Sequence, residues 1–495
     1  DGTDTPIPEA RYYRDYVIQA FNDDLPYDQF LVEQIAGDLL AKQHPDEPRA
    51  NAQVIATGYI ALSRRFGNSA FAEMNLIIDD TIDTIGKSTM GLTLGCSRCH
   101  HHKFDPVTME DYYGMYGYFE NTQYPHAGTE HQKDRDHFVK LNKAAGLRED
   151  YESLEAWAVN DKAKLSGDTH IRPGGDLSQR GELAKRGFLG VFTAAPNETP
   201  QDSSGRLQFA QWLVSEQNPL TPRVMVNRIW QYHFGTGIVA TSSNFGLQGA
   251  KPTHPELLEW LSHEFVSNGW SIKHLHRQIM LSRTWQLSTK ADEWNMQKDQ
   301  ANTGYWRFNR HRMDAESIRD SLLFVSHLLE PGDGGRHPFA ATDKLKYSQG
   351  RPFMDTFDHH HRSVYLMIGR LQKHPFLALF DGPDPNKTTD NRRESTVSPQ
   401  ALYMMNSPFM KEAADAFAKR LESFASEPEL RVQHAYEAAV SRRPSAEEAR
   451  EALAFIEDYT HELQQAGKTS EEASHMAWTG FARTVLSSSE FLYVD

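Results

Sequence analysis

The sequence predicts a mainly α-helical, multi-helix chain of two domains with little β structure. Apolar residues recur at helical spacing in many segments, and several of these segments begin or end with residues typical of helix termini. Only residues 363–368 alternate weakly, as an isolated strand would. The length of 495 residues exceeds what one small core needs, which favours more than one domain.

The first part of the chain predicts four helices. Apolar stripes over residues 16–21 and 30–40 predict two helices, and Pro26 separates them. Helical spacing also runs from residue 74 to about residue 94, and an aromatic-rich segment over 109–119 predicts a short helix. We therefore expect a helical domain over residues 1–140, followed by a polar connecting segment, rich in turn residues, over 141–205.

The second half contains clear helix start and stop signals. Thr221 predicts an N-cap, with Pro222 at the first helical position and Gly235 as the stop. Thr253 and Glu256 predict a capping box for the next helix. Ser271 predicts the N-cap of the helix after that, and further helices are expected over 314–329 and most of 408–491. We expect a second helical domain with a small β element over 206–425, and a C-terminal helical segment over 426–495 that packs on it.

Charge and hydropathy restrict the class of function. The formal net charge is −15, from 67 acidic and 52 basic residues, which argues against a general nucleic-acid-binding surface. No run approaches 18 apolar residues, so we expect no membrane-spanning helix. The chain begins at Asp1 without Met, and a removed leader or a missing upstream segment would both explain this.

The only two cysteines form the motif Cys96-Ser97-Arg98-Cys99-His100. This is the spacing of covalent c-type haem attachment, in which two thiols bond the vinyl groups and the next imidazole binds the iron. We predict one covalent haem c on Cys96 and Cys99, with His100 as the proximal iron ligand. A zinc half-site completed by His100, His102 or a distant His, and a redox disulfide, are the alternatives. The lack of a second cysteine pair argues against the zinc site. The lack of a βαβ pattern argues against the redox disulfide.

The distal iron ligand is not defined by the sequence. No Met lies between Met115 and Met225, where a small cytochrome c would usually supply one. The candidates are Met109 or Met115 folding back, a distant histidine such as His360, or an open position. An open or histidine-ligated iron would favour catalysis or sensing over simple electron transfer.

Longer blocks around the motif resemble a known family, the planctomycete-type cytochrome c proteins. These are large secreted proteins of planctomycetes and verrucomicrobia with two consecutive domains of uncharacterised function. The first domain carries the resemblance in residues 13–22, 26–38, 91–106 and 111–116. The second domain carries it in residues 218–235, 244–246, 254–258, 312–320, 380–386 and 399–402.

The resemblance implies a secreted haem protein, and it implies little about the reaction. Members often carry a further N-terminal cytochrome-like segment, so the resemblance implies that this sequence is a processed or partial product. The family often has Asp where His101 stands, and no role is carried over to that residue. Its association with bacteria that break down complex polysaccharides suggests an ecological setting without identifying a reaction.

Charged and histidine residues outside the motif are further candidates. Arg312, Glu316 and Arg319 are spaced along one face of a predicted helix, either as an exposed ion-paired face or as a buried cluster for haem propionates or an anionic sugar. Arg312, Glu316, His102 and His233 are the candidate catalytic side chains. A structural histidine is the simpler interpretation of His233.

Three further groups have a structural and a functional interpretation. Asp381, Asp384 and Asn386 form either a plain turn or an oxygen site for Ca²⁺. The run His359–His361 is a solvated loop, a weak metal site or the source of a distal ligand. Four tryptophans are interpreted as core residues, one of which could stack on a sugar: Trp230, Trp260, Trp270 and Trp285.

These observations predict a periplasmic or otherwise extracytoplasmic haem-dependent oxidoreductase that acts on or near carbohydrate. The first alternative is a non-catalytic electron-transfer subunit or scaffold, whose partner is a redox protein or an additional cytochrome domain. The second is a zinc-site hydrolase or binding protein. The oligomeric state is not predicted.

Overall fold

The computed structural model describes residues 5–64, 74–128, 135–151, 153–192, 199–339 and 350–494. Its described part is mainly α-helical, as predicted, and each described strand has only two residues. No helix of this part is long and apolar enough to cross a membrane. The four strand pairs are antiparallel: β1 (Thr122–Gln123) with β4 (Asn160–Asp161), β2 (Val139–Lys140) with β3 (Glu155–Ala156), β5 (Thr169–His170) with β6 (Leu183–Ala184), and β7 (His311–Arg312) with β8 (Tyr493–Val494).

Seven α-helices are described before residue 214. They are α1 (Ala10–Asn22), α2 (Tyr27–Gln43), α3 (Ala50–Ala56), α4 (Gly58–Ala61), α5 (Met74–Ile85), α6 (Met109–Glu120) and α7 (Arg206–Leu213). The predicted break at Pro26 is confirmed, because Pro26 is the N-cap of α2. Thr108 and Asp111 form a capping box that starts α6 at the predicted place.

The predicted helix over 74–94 is shorter than expected. The α-helix ends at Ile85, and one π-helical turn, Gly86–Met90, follows it. The turn stops at Gly91, which adopts φ +63°, and a Cβ at that position would lie 2.7 Å from the ring of Phe245. A glycine is therefore required where the chain leaves this helix and enters the cysteine motif.

The second half is built from short helices followed by a helical C-terminal bundle. The helices are α8 (Leu220–Phe234), α9 (Pro255–Ser267), α10 (Ile272–Met280), α11 (Glu293–Lys298), α12 (Ala315–Val325), α13 (Pro375–Leu379), α14 (Ser398–Asn406), α15 (Pro408–Phe424), α16 (Pro428–Val440), α17 (Ala446–Gln465), α18 (Ser470–Leu486) and α19 (Ser489–Leu492). The helical tail predicted over 408–491 is thus confirmed.

Two predicted helix starts are wrong and one is confirmed. Pro219 caps α8, while Thr221 lies buried inside the helix and accepts a hydrogen bond from the Asn218 amide. His254 occupies the N-cap position of α9 without a side-chain cap hydrogen bond, and the Thr253 hydroxyl donates to the Ile238 carbonyl instead of capping the helix. Ser271 does cap α10, through its hydroxyl and the backbone N–H of His274.

Two further expectations about local structure need correction. Residues 363–368 do not form a strand, because a 3₁₀ turn occupies Ser363–Tyr365. The helix expected over 314–329 covers only Ala315–Val325, with Asp314 as its N-cap. The left-handed backbone of His327, at φ +61°, turns the chain out of the helix before residue 329.

Buried apolar residues form several clusters. One contains residues of α2, α5, α6 and α7, together with Trp157, Val159 and Leu189 from the segment over 141–205. A second joins α12 to the C-terminal helices, so residues 426–495 pack on the region that precedes them. A third surrounds α8 and α9 and includes Trp230 and Trp270. Trp260 is 52% exposed and is not a core residue, contrary to expectation.

Candidate functional site

The cysteine motif forms a 3₁₀ turn, Leu94–Arg98, between α5 and α6. Leu94 and Ser97 point into the protein and are buried, while Cys96 and Cys99 are exposed. Both thiols are free, so they do not form a disulfide with each other. The turn therefore buries its apolar and hydroxyl side chains and presents its two sulfur atoms to the outside.

Hydrogen bonds to backbone carbonyls hold this turn against Val107 and α6. The Ser97 hydroxyl donates to the Val107 carbonyl over 3.3 Å, and the His102 N–H donates to the same oxygen over 2.8 Å. The Tyr113 hydroxyl on α6 donates to the Arg98 carbonyl over 2.9 Å. The sulfur atoms are thus carried on a fixed backbone even though they are exposed themselves.

His100 is exposed next to the two thiols. Its Nδ1 lies 2.6 Å from the His101 carbonyl oxygen, so Nδ1 carries the proton and donates. This bond leaves Nε2 as the lone-pair nitrogen, and metal-ligating histidines usually have their other nitrogen bonded in this way. The donor set of the motif fits a covalently attached haem with an axial imidazole.

A glycine loop lies against the second thiol. A Cβ on Gly175 would come within 2.7 Å of Cys99 Sγ, and Gly175 adopts φ +74°. Residues with a side chain rarely adopt this backbone conformation, so the close approach depends on glycine. Sequence reasoning missed this contact, since it treated Gly174 and Gly175 only as part of a connecting segment.

His102 and Asp105 form the other end of the motif loop. His102 Nδ1 accepts the Asp105 N–H over 2.7 Å, and its side chain is 7% exposed. The Asp105 carboxylate accepts the Leu247 N–H over 2.6 Å, and a Cβ on Gly246 would lie 2.4 Å from Asp105 Oδ2. Asp105 therefore fastens the motif loop to the second half of the chain. His102 supports this turn and stays a prediction as a catalytic residue.

The sequence analysis also missed a carboxylate on α5 that lies beside the cysteine motif. Asp79 on α5 accepts the Tyr112 hydroxyl over 2.6 Å and lies 3.7 Å from the Arg98 guanidinium. Burial raises the pKa of Asp79, although the Tyr112 hydrogen bond and the Arg98 charge oppose the rise. Asp79 and Asp83 both lie near Gly95, one residue before Cys96. Their i, i+4 spacing on α5 was the available signal.

The candidates for the distal iron ligand lie in different parts of the structure. Met115 is 1% exposed inside the apolar cluster of α6, and Met109 is partly buried beside the same cluster. His360 lies 3.5 Å from Glu412 and belongs to the second half of the chain. The distal ligand therefore stays a prediction.

His233 and His276 are hydrogen-bonded to each other. Nε2 of His233 lies 2.8 Å from Nδ1 of His276 on α10. Burial, and then the neighbouring His276, lowers the pKa of His233 to about 4, so the pair is neutral at pH 7. Asn227 and Arg228 on the same helix bond backbone groups at Val239 and Lys87. These bonds give the three residues structural roles.

The expected charged helix face is wrong. Arg312 lies in β7 before α12 begins, where it is 6% exposed and pairs with Asp381 over 2.7 Å. Arg319 is also buried, and it donates to the His361 carbonyl over 3.0 Å and to the His359 carbonyl. Glu316 accepts from Arg392. Backbone carbonyls and the Asp381 carboxylate accept hydrogen bonds from these two buried arginines, although the Nε of Arg312 has no hydrogen-bond partner among the described residues.

The candidate calcium ligands bind protein groups. Asp381 accepts from Arg312 and from Ser395, and Asp384 accepts the Asn386 N–H over 3.1 Å. The histidine run is partly buried, and His361 lies 3.3 Å from Glu330. Among the residues that the structure describes, no group of three or more His, Cys, Asp or Glu side chains is arranged to hold a metal ion.

Comparison with known proteins identifies two consecutive regions. Residues 1–124 match the PSCyt2 family, which is described as a protein of unknown function (DUF1549). Residues 205–456, just over half of the chain, match PSD1, a protein of unknown function (DUF1553). No curated protein and no solved structure matches the chain significantly. The chain therefore belongs to the PSD1 family and carries a PSCyt2 region before its PSD1 region.

Proposed function

We propose that this chain is an extracytoplasmic c-type haem protein, with haem bonded to Cys96 and Cys99 and iron bound by His100. The observation that carries the proposal is the exposure of two free thiols on a fixed turn, with the adjacent imidazole beside them. A porphyrin must approach both sulfur atoms from outside, and an exposed motif allows this without unfolding a core. Covalent haem attachment in bacteria takes place outside the cytoplasmic membrane, which gives the proposed location.

Each residue of the motif has a definite task in this proposal. Cys96 and Cys99 would hold the haem by adding their S–H groups across its two vinyl groups, and His100 would bind the iron through Nε2. The His101 carbonyl accepts a hydrogen bond from the Nδ1–H group, which fixes the imidazole tautomer and makes Nε2 a stronger ligand. A bound haem supplies one-electron redox chemistry. Its exposed position would let a redox partner approach it directly.

The redox role has two candidates, each with its own support. A polar cleft of about 580 Å³ near α8, lined by Gln231, Tyr232, Asp390 and several arginines, supports an oxidoreductase acting on or near carbohydrate. Tyr232 is 74% exposed there and offers a ring on which a sugar could stack. The exposure of the motif itself supports the second candidate, a subunit that passes electrons to a redox protein or cytochrome domain.

The haem proposal is tested by producing the chain in a bacterium that attaches haem to exported proteins. We expect iron and a c-type pyridine haemochrome spectrum in the intact chain, and neither in the Cys96→Ala/Cys99→Ala variant. A Ser203→Ala variant, changed outside the motif, is the matched control. Zinc in place of iron, together with no haemochrome, would refute the haem and establish the zinc alternative.

The two redox roles are then separated on the haem-loaded protein. An open iron position in the spectrum and reduction of the haem by a sugar would support the oxidoreductase. Stable six-coordinate spectra in both oxidation states, with no reduction by any sugar tested, would support the electron-transfer subunit. His100→Ala should alter the coordination spectrum while both thioether bonds remain.

A further inference from the structure

A second cavity is lined by residues that differ from those of the cysteine motif. It has a volume of about 530 Å³ and lies between the start of α1, the residues after α4, and residues 335–339, 353 and 364–370. This volume is typical of sites for small organic molecules, which range from about 300 to 1,000 Å³. None of Cys96, Cys99 and His100 lines it.

The cavity wall is largely apolar and aromatic. Trp157, Phe339 and Phe353 contribute rings, and aliphatic side chains from residues 364–368 complete the wall. Val364 is 51% exposed and Ile368 is 61% exposed, so apolar surface is left uncovered at the opening. Uncovered apolar side chains that line a concave surface are typical of a binding site for an apolar group.

The charged side chains among the described lining residues are basic. Arg11, Arg14, Arg336 and Arg370 line the cavity, and none of its described lining residues is Asp or Glu. The carboxylates that pair with Arg11 and Arg14, those of Asp150 and Asp15, are not part of the wall. This arrangement is unexpected in a chain of net charge −15.

His337 also lines the cavity, close enough to Arg14 for that charge to influence its imidazole. Burial, then His359, then Arg14 lower its pKa. A positive neighbour makes protonation of an imidazole less favourable. An anion bound nearby would raise the pKa of His337.

We propose that this cavity binds an amphipathic organic anion. Its apolar body lies against the aromatic rings, and its acidic head lies among the arginine guanidinium groups. Arginine suits this role because its planar guanidinium pairs with carboxylate, sulfonate and phosphate oxygens and remains charged when partly buried. The site is independent of haem attachment, since it shares no residue with the motif.

The test uses isothermal titration of the intact chain with decanoate, with neutral decanol and with cationic decyltrimethylammonium. We expect saturable binding of decanoate, with the two other compounds at least about tenfold weaker. Arg336→Gln should weaken decanoate by roughly tenfold, while Arg283→Gln, at an exposed arginine outside the cavity, should leave it unchanged.

A second variant, at the opening of the cavity, changes an exposed side chain and therefore tests binding without disturbing the fold. Ile368→Glu places a carboxylate at an exposed position, so it should abolish decanoate binding without lowering stability. Ile368→Gln is the matched control and should retain most of the affinity. Equal binding of the three compounds, no saturable binding of decanoate, or decanoate binding that survives Ile368→Glu would each overturn the proposal.

Discussion

The loop that carries the cysteine motif, residues 94–105, and the surroundings of Arg206 differ in where their reactive or charged groups lie. In the motif loop the backbone is fixed and the reactive atoms of Cys96, Cys99 and His100 are exposed. Around Arg206 the charged group itself is buried, and two carboxylates satisfy it. The comparison indicates that a charged cluster in this chain stabilises the fold, whereas the exposed, weakly paired groups are available for chemistry.

The largest effect on stability is expected at Arg206. Its guanidinium is fully buried between Asp38 at 2.8 Å and Asp161 at 2.9 Å. Arg206→Met would leave both carboxylates without this partner, and we expect a loss of about 3–5 kcal/mol in the free energy of unfolding. Chemical denaturation measures this loss.

The exposed pair Arg223–Glu259 is the control for that prediction. Arg223→Gln should cost less than about 1 kcal/mol, because solvent screens an exposed ion pair. Similar losses in the two variants would contradict the contrast between buried and exposed charge.

A smaller effect is expected where the motif loop meets the second half. Asp105→Ala removes the acceptor of the Leu247 N–H, and we expect a loss of about 1–3 kcal/mol. Hydrogen exchange at Leu247 should speed up as well. Asp105→Asn keeps an acceptor oxygen and should behave nearly as the unchanged chain does. Equal losses in both variants would show that the hydrogen bond is unimportant.

The sequence predicted only some of the features that depend on neighbouring residues, since the caps expected at Thr221 and Thr253 are wrong. The chemistry of the motif, the break at Pro26 and the cap at Ser271 all follow from local spacing, and the structure confirms the two helix boundaries. The attachment of Asp105 to Leu247 depends on residues 142 positions apart, and no local pattern contains it. The placement of Arg312 in a strand likewise depends on pairing with Tyr493, near the chain end.

The smallest effects concern acid and base dependence, and two histidines should behave oppositely. The pKa of His233 is lowered to about 4, against about 6.5 in an unfolded chain. Unfolding therefore takes up a proton between these values, and His233 lowers stability as the pH falls from about 6.5 towards 4. His233→Gln should flatten this acid decline in denaturation curves measured across that range.

His475 should show the reverse dependence. Burial opposes its protonation, but the hydrogen bonds that its ring N–H groups donate to Asp415 and Glu422 outweigh burial and raise its pKa. Its stabilising contribution is complete below about pH 6.5 and is lost as the pH rises through the raised pKa. His475→Gln should flatten the curve on that side only. A variant that flattens the acid decline instead would contradict this assignment.

The haem on the cysteine motif is tested most directly by intact mass after acid–acetone extraction. This treatment removes non-covalent haem and leaves a thioether-bonded one on the chain. We predict that the polypeptide matured outside the cytoplasm keeps its colour and the mass of one haem, and that Cys96→Ala/Cys99→Ala keeps neither. A colourless chain of unmodified mass would contradict the haem assignment.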